Sequence, residues 1–198
     1  MARREAVQQW RPLSVDETVA LFREAPFRWW ISGGVALELF AEDSWREHDD
    51  LDVGVARSDL AALRKFLDGW EINVAARGEL SPWTGEVLDV GKGQNNLWCR
   101  RAGAKAWALD ISICEADETQ LQYRRDQSIR LPWSEAVLTT KSGVPYLAPR
   151  FALLYKSTTP RPRDHEDASA VIPKLSAPHR KWLATHLQGT HAWHRLLA

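Results

Sequence analysis

Hydrophobic positions along this 198-residue chain switch repeatedly between a helical and an alternating period, and the switches outline interleaved strands and helices. Ser14 to Glu24 predicts an opening helix with Val15, Val19 and Phe22 on one stripe. Residues 28–32 are bulky and bounded by Pro26 and Gly33, which predicts a short buried strand. A helix with apolar Val35, Ala36, Leu39 and Phe40 follows Gly33 and Gly34. Residues 50–55 then alternate strictly, with Leu51, Val53 and Val55 facing a core. Ser58 is placed to cap the next helix, in which Leu60, Leu63 and Leu67 recur before Gly69.

The middle of the chain reads as sheet. Glu71 to Ala76, Asn96 to Arg101, Trp107 to Cys114, Leu121 to Arg124 and Ser128 to Leu131 are the expected strands, the last an edge strand ended by Pro132. Between Arg77 and Asn96 the residues Gly78, Pro82, Gly85, Gly91 and Gly93 predict a long loop or a loosely paired hairpin. From Pro149 onward the period is helical, with Phe151, Leu154 and Tyr155 on one face. Asp164, Asp167, Ala168 and Val171 share the inward stripe of the following helix, an unusual place for acids, which are expected either to pair with Arg161, Arg163 or Lys156 or to reach a cationic acceptor. Ser176 opens a last helix with Trp182, Leu183, His186 and Leu187 as its apolar face.

Two places on this framework carry chemistry. Gly33 and Gly34 permit a tight turn, and the helix after them offers unpaired N–H groups and a partial positive charge, which suit phosphate. Asp50 and Asp52 project together from the non-core face of their strand, where the repulsion between them is relieved by a divalent cation. Oxygen ligands of this kind suit magnesium, which also takes oxygens from substrate phosphates. Asp110 is a lone acid inside the apolar run 106–114 and needs a partner if buried.

Ser32-Gly33-Gly34 followed by Arg46-Glu47-His48-Asp49-Asp50-Leu51-Asp52-Val53 resembles the nucleotidyltransferase superfamily that includes DNA polymerase beta, and more narrowly its aminoglycoside and lincosamide nucleotidyltransferases. Pro145 to Pro149, Leu153 to Lys156 and Arg163-Asp164-x-x-Asp167 are similar to the same group, so the likeness extends from about Trp29 to Leu183. It implies an α/β (α+β) protein, a small mixed twisted sheet with flanking helices forming a polymerase-beta-like core over residues 1–147, and a C-terminal helical lobe over 148–198. It further implies Mg2+ on Asp50 and Asp52, with a third carboxylate on a neighbouring strand that ligates metal or takes a proton. Asp110 is the choice for that role, ahead of Asp89 and Glu115. Ser32, Gly33 and Gly34 would cradle phosphate, Arg46 would meet it with a bidentate fork, and Lys156 would contact nucleotide or substrate. Two positions depart from the pattern: Val35 where tryptophan is usual, and Arg150 where a glutamate often follows the proline.

Composition narrows the partners. Lysine plus arginine and aspartate plus glutamate each number 26, so no basic field favours a long nucleic-acid track and no acidic excess advertises a polycationic acceptor. Cys99 and Cys114 form no Cys-x-x-Cys pair and are expected to be reduced core residues of a cytoplasmic protein. Residues 1–6 lack the apolar stretch of a signal peptide, and no segment is long enough for a membrane span. The eleven tryptophans are expected mainly in packing. The resulting expectation is metal-dependent transfer of a nucleoside monophosphate, AMP from ATP, to a hydroxyl of a small molecule. The alternatives are a transferase of the toxin–antitoxin type acting on protein or RNA, and a catalytically silent nucleotide-binding protein.

Overall fold

The structure is a computed structural model and describes residues 9–197. Residues 1–6, expected to carry no signal peptide, lie outside them. The first half of the chain runs α1 (Val15–Phe22), β1 (Trp29–Ile31), α2 (Gly33–Ala41), β2 (Asp52–Ala56), α3 (Leu60–Phe66), β3 (Trp70–Ala76), β4 (Glu79–Pro82) and β5 (Asn96–Arg101). It continues through β6 (Leu109–Ala116), β7 (Gln120–Gln122), β8 (Arg130–Pro132), α4 (Trp133–Ala136), β9 (Val137–Thr139) and β10 (Pro145–Leu147). Helices α5 (Pro149–Ser157), α6 (Pro162–Val171), α7 (Ala177–His186) and α8 (His194–Leu197) close it.

The chain folds as two compact units: residues 9–29 with 48–115, and residues 30–47 with 116–197. This division differs from the expected border at 147/148. The helices after 149 join strands and a helix from earlier in the chain instead of standing apart.

In the first unit the strand order is β4-β3-β5-β6-β2, antiparallel up to β6, with β2 parallel to β6. Alternation dictates its two faces. Ile72, Val74, Leu97, Cys99, Leu109, Ile111, Ile113, Val53 and Val55 are buried on one side. Each large aliphatic side chain so placed contributes roughly 1.5–3 kcal/mol. Asn96, Trp98, Asp110, Ser112 and Asp52 fall on the other face. Phe22 of α1 and Phe66 of α3 pack with Phe27 and Trp29. Ser14 begins α1 with a full capping box: its hydroxyl accepts from the Glu17 amide, and the Glu17 carboxylate accepts from the Ser14 amide. The expected cap at Ser58 is corrected. Residues Arg57–Asp59 form a 3₁₀ turn, and Asp59 is the N-cap of α3.

In the second unit β1 pairs in parallel with β10, and β9 pairs antiparallel with β10. β7 and β8 pair as an antiparallel hairpin. α5 is the central helix and packs against α2, α6 and α7. Phe151, Leu153, Leu154, Ala168, Val171 and Leu183 supply the apolar interior. On α2 the buried residues are Gly34, Ala36 and Leu37, so of the expected Val35, Ala36, Leu39 and Phe40 stripe only Ala36 is fully buried and the inward face is turned toward Gly34 and Leu37. Five tryptophans, Trp30, Trp70, Trp83, Trp107 and Trp193, are buried, in keeping with a packing role.

Candidate active site

The parallel register of β2 and β6 sets Asp52 directly beside Asp110, and strands so paired lie about 4.8 Å apart. The Asp110 amide donates to the Leu51 carbonyl at 3.1 Å, which locks that register where the carboxylates sit. Asp50 lies just ahead of β2, two residues before Asp52, and both are half-buried. Ser112 Oγ donates to Asp52 Oδ1 at 3.3 Å.

Asp110 is 7% exposed and tied by one donor to each oxygen: Asn96 Nδ2 at 2.7 Å and Trp98 Nε1 at 3.0 Å. Both donors are neutral. Burial and the charges of Asp52 and Asp50 push the Asp110 carboxyl up to about 8, against the pull of the two hydrogen bonds. Three acids are thus held where ionising all of them is unfavourable, an arrangement typical of sites that receive a cation or a proton.

The other two acids considered for the third position are otherwise engaged. Glu115 accepts from Arg57 Nε at 2.7 Å. Asp89 caps a 3₁₀ turn by accepting from the Gly91 amide at 2.8 Å.

Among the described residues no group of three or more His, Cys, Asp or Glu side chains is gathered to hold a metal ion by itself. The expected three-carboxylate set of Asp50, Asp52 and Asp110 is therefore not a ready-made cage. The donor chemistry fits a hard divalent cation shared between two carboxylates and oxygens from a bound phosphate, the usual mode for magnesium. Each oxygen of Asp110 already accepts one hydrogen bond from a neutral donor and keeps a further lone pair.

In the second unit Ser32 is the N-cap of α2 and its hydroxyl makes no cap bond. Gly33 has φ +63°, a left-handed conformation in which glycine alone is unstrained, so the turn depends on it. The first amides of this nine-residue helix have no intrahelical acceptor and carry the partial positive charge of a helix N-terminus.

Arg46 and Lys156 are placed differently from expectation. Arg46 donates to both oxygens of Asp167 (Nε at 2.9 Å, Nη2 at 3.2 Å), so the fork expected to meet phosphate is filled by a carboxylate. Lys156 Nζ lies 2.8 Å from Asp164 and 2.9 Å from Asp167. Trp45 Nε1 adds a third donor to Asp167 at 3.0 Å, and Arg161 holds Asp164 through Nε at 2.9 Å. Both acids are buried, as the inward stripe required. The cations and hydrogen bonds hold both carboxyls below the usual carboxylate range despite burial. Arg150 is buried, paired with Glu135 and stacked over Trp182, which gives the reversed charge a local partner.

The sheet and flanking helices define a nucleotidyltransferase fold. The family model for aminoglycoside-2''-adenylyltransferase matches residues 14–79, which include the Ser32 turn and the Asp50–Asp52 pair. Structurally the chain is similar to ANT(2")-Ia in complex with adenylyl-2"-tobramycin, with TM-score 0.56 and 15% identity over 93% of this chain and 97% of that one. It is also similar to the lincomycin-bound lincosamide antibiotic adenylyltransferase LnuA, with TM-score 0.54 and 16% identity over 81% and 98% of the two chains. At such identities the likeness is one of fold. No curated protein matches the sequence significantly. The resemblance and the fold class read from the sequence are borne out.

Proposed function

We propose that this protein is an adenylyltransferase that moves a nucleoside monophosphate, AMP from ATP, onto a hydroxyl of a small antibiotic-like acceptor. The observation that carries the reading is the carboxylate cluster of the first unit, where Asp52 and Asp110 are register partners and Asp50 lies two residues ahead of Asp52. Asp50 and Asp52 would hold Mg2+, which supplies charge neutralisation at the triphosphate and its pyrophosphate leaving group. Asp110 accepts the proton of the attacking hydroxyl. Its raised proton affinity places it near the working range for that task. Ser32 and the first amides of α2 are assigned to phosphate oxygens. Arg46 and Lys156 are assigned to holding Asp167 and Asp164.

The family match and the ligands of the similar structures, adenylyl-2"-tobramycin and lincomycin, support an antibiotic acceptor. The balanced charge leaves open which kind. The test is incubation with magnesium, each labelled triphosphate in turn, and a panel of aminoglycosides and lincosamides. Acceptor-dependent pyrophosphate release with a mass gain of one nucleotide on the acceptor is expected. Labelling of a co-expressed protein or RNA, with none of the panel modified, would transfer the assignment to a macromolecular target.

A further inference from the structure

Trp98 sits on β5 as the register partner of Asp110 on β6, and its indole nitrogen is 3.0 Å from Asp110 Oδ2. An indole N–H donates only, so Oδ2 must be the acceptor. The bond therefore fixes the polarity of that oxygen in a way the reversible amide of Asn96 does not. The ring itself is clamped. Trp10 meets it edge-on at 4.9 Å, and Trp107 meets it at 5.9 Å with planes at 60°. Arg100 lies 4.5 Å over the Trp107 ring.

Trp10 belongs to a segment with no helix or extended strand, yet three main-chain bonds pin it. The Trp107 amide donates to the Gln9 carbonyl at 2.9 Å, the Arg11 amide to the Trp107 carbonyl at 2.9 Å, and the Leu13 amide to the Ala108 carbonyl at 3.0 Å. A free side chain with an indole's mass would exchange rotamers; this one is held on two sides by rings and at its tip by the carboxylate.

We infer that Trp98, locked by Trp10 and Trp107, is a positioning residue for Asp110, fixing the direction in which the carboxylate offers its remaining lone pairs to a substrate proton. The inference rests on the transfer reading above for its catalytic consequence, but not for its structural one. A carboxylate able to rotate would still be basic; it would point its lone pairs at the acceptor hydroxyl only part of the time. Misorientation of this kind lowers the chemical rate without weakening nucleotide binding.

Trp98→Phe keeps an aromatic ring between Trp10 and Trp107 while removing the N–H together with part of the indole's ring area. It is expected to lower kcat for acceptor-dependent pyrophosphate release about tenfold while changing KM for the triphosphate less than about twofold. Trp10→Ala should show the same split with a smaller loss, and Trp98→His, which restores a ring N–H, should recover part of the rate. An unchanged kcat in Trp98→Phe overturns the inference, as does a loss shared equally by kcat and KM.

If the wild-type protein modifies no acceptor, the transfer reading fails and urea unfolding still decides this one. Trp98→Phe should then lower the folding equilibrium constant about fivefold more beside Asp110 than in an Asp110→Ala background, the difference being the worth of the hydrogen bond. Equal losses in both backgrounds assign Trp98 to packing alone.

Discussion

Two groups of aspartates are buried or half-buried in this molecule, and they are treated in opposite ways. Asp164 and Asp167 in the second unit are surrounded by cations: Lys156 between them, Arg161 on one, Arg46 and the Trp45 indole on the other. Asp110 in the first unit receives two neutral donors and lies within the field of Asp52 and Asp50. The first arrangement lowers proton affinity and closes the group; the second raises it and leaves the charge for something else to neutralise. An acid-rich stretch is therefore a functional candidate by virtue of what its surroundings omit, more than by the acids themselves.

The sharpest way to break this contrast is Asp52→Asn. It should reduce transfer by about a thousandfold or more, as expected where a metal clamp is lost, while leaving thermal stability at or above that of the parent. Magnesium with ATP should raise the melting temperature of the parent and not of the variant. A variant that unfolds instead would make Asp52 a structural residue.

Asp167→Ala should act in the reverse sense. It leaves Arg46 and Lys156 buried without their shared carboxylate and should cost about 3–5 kcal/mol in denaturant unfolding.

The pH responses should also run in opposite directions. The carboxyls of Asp164 and Asp167 are lowered in the folded state. Their contribution to stability is full above the unfolded value of about 3.9 and is lost as pH falls through the folded values. Asp110 is raised to about 8, so its ionisation costs stability that grows as pH climbs from about 4 toward that value. Asp110→Asn should accordingly melt with the parent near pH 4 and a few degrees higher near pH 8, as followed by thermal scans in matched buffers. Least of all, Arg161→Ala should cost under about 1 kcal/mol, because this arginine is largely exposed and Lys156 remains on Asp164.

Much of this was legible in the chain. The alternation through Leu51, Val53 and Val55 defined both the strand and the face that carries Asp50 and Asp52, because a period of two admits one inward set. Asp110 stood out as an acid in an apolar run, and the inward stripe of α6 demanded cations that Lys156 and Arg161 supply. What escaped depended on register or distance. Asn96 and Trp98 reach Asp110 only because β5 and β6 pair as they do, and nothing local marks those two residues as its donors. Arg46 and Asp167 are separated by 121 positions. Strands β9 and β10, three residues each, are too short to show a period. Residues 79–82 do form the hairpin with β3 that was one of the two readings of that stretch, the remainder to Asn95 being loop with one 3₁₀ turn.

Cys99 and Cys114 lie on the seams of the sheet that carries the acids, one facing Leu109 across the β5–β6 pair and the other facing Ala56 across β6–β2. Burial and the nearby Asp110 charge raise the Cys99 thiol far above its ordinary range, so the native sulfur is inert to alkylation. The Cys99 thiol, wholly buried, is consequently a built-in chemical clock: its labelling rate should time the transient parting of β5 from β6, with no added probe.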